Sequence, residues 1–169
     1  MNPNAPLNVL VLCTGNSARS IIGEYLLRIK GKGRFEVHSA GAKPTGKVNP
    51  LALWVLKERF KIDASDARSK SWDELKHIQF DCVITVCDHA KESCPVWPGK
   101  PILAHWSSPD PASVNGTEEQ KKRAFVEVAL QIGRRVDLLC ALPPHQFEQF
   151  RVQEIGEQAK IEGDPNMTS

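Results

Sequence analysis

The most reactive grouping in the chain is Cys13-Thr14-Gly15-Asn16-Ser17-Ala18-Arg19-Ser20, with a cysteine and an arginine six positions apart. A loop this short can curl its backbone N–H groups around one tetrahedral oxyanion. Gly15 and Asn16 tolerate the positive φ that such a curl needs. A helix starting just after the loop adds the positive end of its dipole, and Arg19 can grip two oxygens at once. The same field favours a thiolate, so the Cys13 pKa is expected below the free value of about 8.5. Ser17 or Ser20 can donate a hydrogen bond to that sulfur. The chemistry is therefore oxyanion binding joined to nucleophilic attack. A bare Cys-x5-Arg pattern is weak, and its plain alternative is a buried Cys13 ending a strand with Arg19 solvated on a helix. The strand before the motif and the helix after it favour the anion loop.

Four further cysteines follow, Cys82, Cys87, Cys94 and Cys140, making five in all. An odd count in a chain of this size argues against a disulfide framework. In a reducing compartment such thiols are buried, metal-bound or catalytic.

The elements that must hold these residues follow from periodicity. Residues 7–12 form an apolar run that reads as a buried strand feeding the loop. Ile21, Ile22, Tyr25, Leu26 and Ile29 recur at helical spacing over 17–30, and Gly31 and Gly33 end that helix. Residues 35–39 alternate as a second strand ending at Gly41, and 43–49 form a polar loop. A helix is expected over 51–60 with Pro50 in its first turn, and a shorter one from Trp72 capped by Ser71. Residues 81–86 give a third strand and 101–105 a fourth, with 87–100 between them read as a polar surface loop. Thr117 and Gln120 have capping-box spacing. The helix they open should bury Phe125, Val128, Ala129, Ile132, Val136 and Leu139. A last helix is expected within 147–161, with frayed residues beyond it. Strands alternating with helices imply a parallel α/β sheet covered on both faces, with its ligand outside the carboxyl ends of the strands. Cys13, Cys87 and the segment after His105 all lie at such ends.

The 169 residues suit one domain, with 41% apolar and 25% charged residues. A net charge of +2 gives no polyanion-binding signature, so nucleic acid is not an expected partner. No apolar run reaches the length of a membrane span. Residues 1–8 contain no basic residue and little apolar length, so no secretory signal is expected and the cytoplasm is the expected location.

The segment from Cys13 to Ser20 resembles the phosphate-type loop of the arsenate reductases related to low-molecular-weight protein tyrosine phosphatases. Further matches follow in order: Ser39-Ala40-Gly41 after the second strand, Val48-Asn49-Pro50 opening the second helix, Cys87 with Cys94-Pro95 as a redox pair, and His105-Trp106 with Asp110-Pro111-Ala112 as an acid loop. The similarity covers nearly all of residues 7–139. It implies a flavodoxin-like three-layer sandwich with a four-stranded parallel sheet, the low-molecular-weight tyrosine phosphatase fold. The core would span about 7–140, with a helical extension over about 143–162.

The resemblance also implies reduction of arsenate to arsenite at the expense of thiols. Residues Thr14, Gly15, Asn16, Ser17, Ala18, Arg19 and Ser20 would bind the oxyanion, and Asp110 would protonate the departing oxygen. Cys13, Cys87 and Cys94 would carry the electrons. Cys87 and Cys94 are seven positions apart, too wide for a thioredoxin-type pair and suited to a segment that rearranges. They can alternatively be unrelated thiols, or zinc ligands with Cys82 and His89, although the spacing lacks the close ligand pairs of structural zinc. Cys82, inside a strand, and Cys140, ending a helix, read as packing thiols. His38, His89 and His105 show no partner in the sequence.

Some relatives hold potassium beside the loop. Asn16, Glu24 and Ser39 match part of that site, but Ser69-Lys70-Ser71 lacks its acidic residue. No metal and no cofactor are therefore expected. The expected partners are arsenate or another phosphate-like oxyanion and a thiol donor, thioredoxin first and glutathione with glutaredoxin second. The chain is expected to be a monomer. The rival reading is a tyrosine phosphatase, with the same loop and acid but no relay. Against it stand Thr14, the Cys87 and Cys94 pair, and Ser113-Val114-Asn115 where such phosphatases carry acid-loop tyrosines.

Overall fold

The computed structural model describes residues 5–158. Four strands, β1 (Leu7–Cys13), β2 (Phe35–Gly41), β3 (Cys82–Thr85) and β4 (Ile102–His105), form one sheet in the order β2-β1-β3-β4. Every pairing is parallel. β1 lies inside the sheet, and its residues Val9, Leu10, Val11, Leu12 and Cys13 are all buried. A parallel strand covered on both faces must be apolar throughout, which explains why this run does not alternate.

Five α-helices connect and cover the strands: α1 (Arg19–Lys30), α2 (Pro50–Phe60), α3 (Asp88–Ser93), α4 (Glu118–Ala141) and α5 (Gln149–Gln158). α1 lies close against β1, because Gly23 lets the Val11 side chain approach to 3.2 Å of where a Cβ would stand. The predicted capping box opens α4: Gln120 N donates to Thr117 Oγ1 at 3.2 Å, and Thr117 N donates to Gln120 Oε1 at 2.8 Å. All six apolar residues expected to face inward from α4 are buried. Ser71 caps a short 3-10 turn, Trp72–Leu75, by accepting from Asp73 N.

Two expectations need correction. Residues 87–100 are not simply a surface loop, because α3 forms within them. Asp88 sits at its positive end, Ala90 is fully buried, and Cys87, itself buried, caps it by accepting the Ala90 N–H on sulfur. The third strand is also shorter than 81–86. Asp81 instead exchanges two bonds with Asn8, N to O and N to Oδ2, both at 2.8 Å. The final helix starts at Gln149, and the expected residues 159–162 of the extension and the expected frayed end lie outside the described residues.

α5 packs along β4. Gln149 Oε1 accepts from Leu103 N at 2.8 Å, its Nε2 donates to Leu103 O, and Gln153 Oε1 accepts from His105 N at 2.8 Å. The parallel register sets Cys13 beside Gly41, Leu12 beside Thr85, and Thr85 beside His105. All four strands therefore end on one side, where loops 14–18, 42–49, 86–87 and 106–117 converge. Among the described residues, no helix is long and apolar enough to cross a membrane.

Candidate active site

The loop after β1 is shaped by where its carbonyls go. Cys13 O accepts from Ala42 N at 3.3 Å, Thr14 O from Lys43 N at 2.9 Å, and Gly15 O from Thr45 N and Ser69 Oγ, both at 3.0 Å. Ser17 O accepts from Asn49 N at 2.9 Å. Among the described residues no peptide bond is cis, so each outward carbonyl leaves the N–H of the same peptide pointing in the opposite direction. The amides of Thr14, Gly15, Asn16 and Ala18 thus face the inside of the curve. Asn16 makes the bend at φ 48°. Gly41 permits the close approach behind it, since a Cβ there would stand 2.5 Å from Thr14 O.

α1 supplies the rest of the anion cradle. Ala18 precedes it with no side-chain cap, and its first turn carries no acidic residue. Side chains cap α2, α3 and α4 at Asn49, Cys87 and Thr117. The uncapped amides of α1 suit an anion instead. Arg19 reaches across the cradle, with Nη1 donating to Ser108 O at 2.9 Å and Nη2 lying 3.9 Å from Asp110 Oδ2. Asp110 Oδ1 accepts from Ala112 N at 3.0 Å, so Asp110 opens a turn and faces Arg19 at once.

Cys87 sits beside the start of the loop, with Thr14 Oγ1 3.2 Å from Cys87 Sγ, and the Cys13 and Cys87 thiols shift each other's titration. The lowered pKa expected for Cys13 is not found at Cys13 itself; the lowering belongs to the first ionisation of the pair. Cys13 alone is pushed up by the Cys87 hydrogen bond and by burial, against Arg19 and the Thr14 N–H. Cys87 is pulled down by the Cys13 hydrogen bond, against burial and with help from Thr14, the Ala90 N–H and Arg19. One proton held between two sulfurs makes the first ionisation easy and the second hard. Ser20 Oγ accepts from Asn16 Nδ2 at 2.8 Å. Cys94 ends α3 and is partly exposed, and burial raises its thiol pKa, partly offset by Trp97. Cys82 is fully buried and its thiol is pushed up by burial, as a packing residue should be.

Behind the loop, Asn16 Nδ2 donates to Ser39 Oγ at 3.0 Å, and Asn16 Oδ1 accepts from Lys70 N at 2.9 Å. Ser39 donates to Glu24 Oε1 at 2.5 Å, and Arg28 pairs with Glu24. Burial pushes the Glu24 carboxyl up while Ser39, Lys70 and Arg28 pull it down. Burial also lowers the Lys70 ammonium, against the pull of Glu24. Arg28 already pairs with this carboxylate and the Lys70 charge adds to the positive field on it, so the cluster does not fit an added potassium ion. Among the described residues, no group of three or more His, Cys, Asp or Glu is arranged to hold a metal. The zinc alternative therefore has no geometry behind it.

Several partners were invisible in the sequence. His105 Nδ1 lies 2.8 Å from Thr85 Oγ1, and its Nε2 lies 2.9 Å from Asp88 Oδ1, tying the start of α3 to β4. The fully buried Arg135 donates to Ser107 O at 2.7 Å and to Ser108 Oγ at 3.1 Å. Only local spacing can be read from one chain, and these pairs are distant along it.

Comparison with known proteins agrees with this geometry. The family described as Low molecular weight phosphotyrosine protein phosphatase matches residues 8–142. An arsenate reductase of Halalkalibacterium halodurans is 38% identical over 128 residues, covering 76% of this chain and 91% of that protein. An arsenate reductase of Bacillus subtilis is 37% identical over 128 residues, with the same two coverages, 76% and 91%. Among solved structures, an arsenate reductase in its phosphate-binding state superposes with a TM-score of 0.64 at 27% identity, covering 80% of this chain and 97% of that one. A low-molecular-weight tyrosine phosphatase from T. tengcongensis, 24% identical, shares the fold with a TM-score of 0.66, covering 78% of this chain and 95% of that one. With a curled, amide-lined loop between β1 and α1 and a family match over most of its length, the chain belongs to the low molecular weight phosphotyrosine protein phosphatase family.

Proposed function

We propose that this protein reduces arsenate to arsenite through a thiol relay. The observation that carries the reading is the place of Cys87 at the anion loop, its sulfur 3.2 Å from the hydroxyl of Thr14, the residue that follows Cys13. A phosphatase needs one loop cysteine; a reductase needs a second sulfur within reach of the first. The arsenate reductase relatives lend the substrate.

The Cys13 thiolate attacks As(V), an As–O bond breaks, and Asp110 gives its proton to the departing oxygen as water forms. Loop amides and Arg19 hold the remaining oxygens. The Cys87 thiolate then attacks Cys13 Sγ, the S–As bond breaks, and its electron pair stays on arsenic, which leaves as arsenite. A Cys13–Cys87 disulfide remains. The Cys94 thiolate attacks Cys87 Sγ, releasing the Cys13 thiolate and leaving a Cys87–Cys94 disulfide. An external thiol donor reduces that bond. Thioredoxin suits an internal disulfide, and glutathione with glutaredoxin is the second choice. The scheme uses no metal or organic cofactor.

α3 separates the two relay sulfurs by about 10 Å of helical rise, whereas a disulfide needs Cα atoms within about 7 Å. The relay therefore requires α3 to unwind. The test is to mix reduced protein with stoichiometric arsenate and map disulfides by mass spectrometry, with Cys94→Ser alongside. A Cys87–Cys94 bridge in the wild type and a trapped Cys13–Cys87 bridge in the variant are expected. Free thiols throughout, with no arsenite formed, would sink the reading. The shared Cys13, Arg19 and Asp110 would then favour phosphatase chemistry.

A further inference from the structure

We propose that α5, joined to Arg135 of α4, is a brace that positions loop 106–110, and through it Arg19 and Asp110, for the first chemical step. The inference rests on Asp110 acting as the acid in the reading above.

α5 begins after residue 142, where the match to the family ends. It nonetheless connects to the site by an unbroken set of contacts. Its buried Val152 accepts the indole N–H of Trp106 on its carbonyl at 3.0 Å. Gly156 lies against the same residue: a Cβ there would stand 2.8 Å from both Trp106 Cδ1 and His105 O. Arg135 spans the gap between α5 and the loop, with Nη2 donating to Gly156 O at 3.2 Å and Nη1 to Ser107 O and Ser108 Oγ. Ser108 closes on itself by donating from Oγ to Trp106 O at 3.0 Å. Its own carbonyl then receives Arg19, whose other nitrogen faces Asp110.

Physical reasons favour positioning over mere support. Arg135 is wholly buried, and a guanidinium away from water is tolerated only where its donors are matched by fixed acceptors. The acceptors of its Nη1 and Nη2 groups belong to the loop that carries the proposed acid and to α5. A planar fork bonded on both sides holds its acceptors in direction as well as distance. Asp110 is partly exposed and Arg19 bonds a backbone carbonyl, so neither fixes the loop without what lies behind it.

The experiment is a double-mutant cycle on the full chain in a Cys94→Ser background. The rate of Cys13–Cys87 bond formation after addition of arsenate is read by quenched alkylation and mass spectrometry. Asp110→Asn is expected to slow this step about a hundredfold, and Arg135→Met about tenfold or more. In the Asp110→Asn background, Arg135→Met should cost at least about threefold less than it does alone, because only the share carried by Arg19 is left to misplace. Arg135→Lys and Gly156→Ala carry the same cycle if Arg135→Met fails to fold. Leu56→Ala, a core variant remote from the loop, should lower the unfolding midpoint yet leave the rate of the folded protein within about twofold. Losses that simply multiply would overturn the brace and leave α5 as structural cover. If Asp110→Asn alone has no effect, the acid assignment fails and the brace fails with it, whatever Arg135→Met does.

Discussion

The anion loop and the α3 segment are both built around a cysteine at the end of a strand, yet they are held in opposite ways. In the loop, four outward carbonyls are bound by the segment 42–49, and Asn16 is anchored on both sides of its amide. α3 has six residues, one fully buried side chain at Ala90, a sulfur as its cap, and the His105–Asp88 contact as its main tie to the sheet. A preorganised cradle stabilises developing charge without rearranging. A segment that must carry a sulfur some distance has to be cheap to unfold. On the relay proposed above, the difference separates the part that recognises the oxyanion from the part that moves electrons.

Replacing the two end cysteines breaks the comparison most strongly. Cys13→Ser should lower arsenite formation by about a thousandfold or more and abolish even a single turnover. Cys94→Ser should abolish steady turnover but keep one stoichiometric burst of arsenite, measured by rapid quench. A full steady rate in Cys94→Ser would show that α3 carries no electrons. Arg19→Lys comes next. It keeps the charge but loses the two-pronged grip, so Cys13–Cys87 formation should slow by about ten- to a hundredfold while the later Cys94 step is unchanged.

Ala90→Gly tests the mobile side. Glycine costs a helix about 1 kcal/mol, so conversion of the Cys13–Cys87 bridge to Cys87–Cys94 should speed up about fivefold, with the arsenate step unaffected. A slower conversion would mean that α3 stays folded during the relay. The smallest effect concerns pH. The first ionisation of the Cys13 and Cys87 pair lies below the ordinary thiol value, so the thiolate is present above that lowered pKa and is lost as pH falls through it. Thr14→Val removes the hydroxyl beside Cys87. The titration should move to higher pH, with alkylation by iodoacetamide falling about fivefold or less on the acid side and unchanged at high pH.

How far the sequence could be read follows the same divide. The anion loop is contiguous, so Cys13, Asn16, Arg19 and the flanking strand and helix announce themselves by spacing alone. The α4 capping box and apolar stripe are likewise local. α3 was hidden because one short helical turn shows no periodicity, because cysteine is not a usual cap, and because the residue that ties it down, His105, lies seventeen positions beyond Asp88. Arg135 carries no local mark of burial in the sequence. Its partners at Ser107, Ser108 and Gly156 are all distant in the chain, and burial at that position emerges only once α5 folds over β4. Lys70 stands in the segment where the resemblance implies an acidic residue that this chain lacks, and only the fold sets its charge against Glu24.

The two glutamines of α5 that clasp β4 also bear on how copies of this protein meet. Leu103 and His105 present backbone groups on the outer side of the sheet, and Gln149 and Gln153 take them up. A neighbouring chain approaching as an added strand finds those groups occupied by side-chain amides that imitate its own backbone. Clipping α5 would uncover a strand carrying the half-exposed Leu103, ready to pair with another of its kind. The same ten residues thus keep a crowded solution of this protein from knitting together along that side.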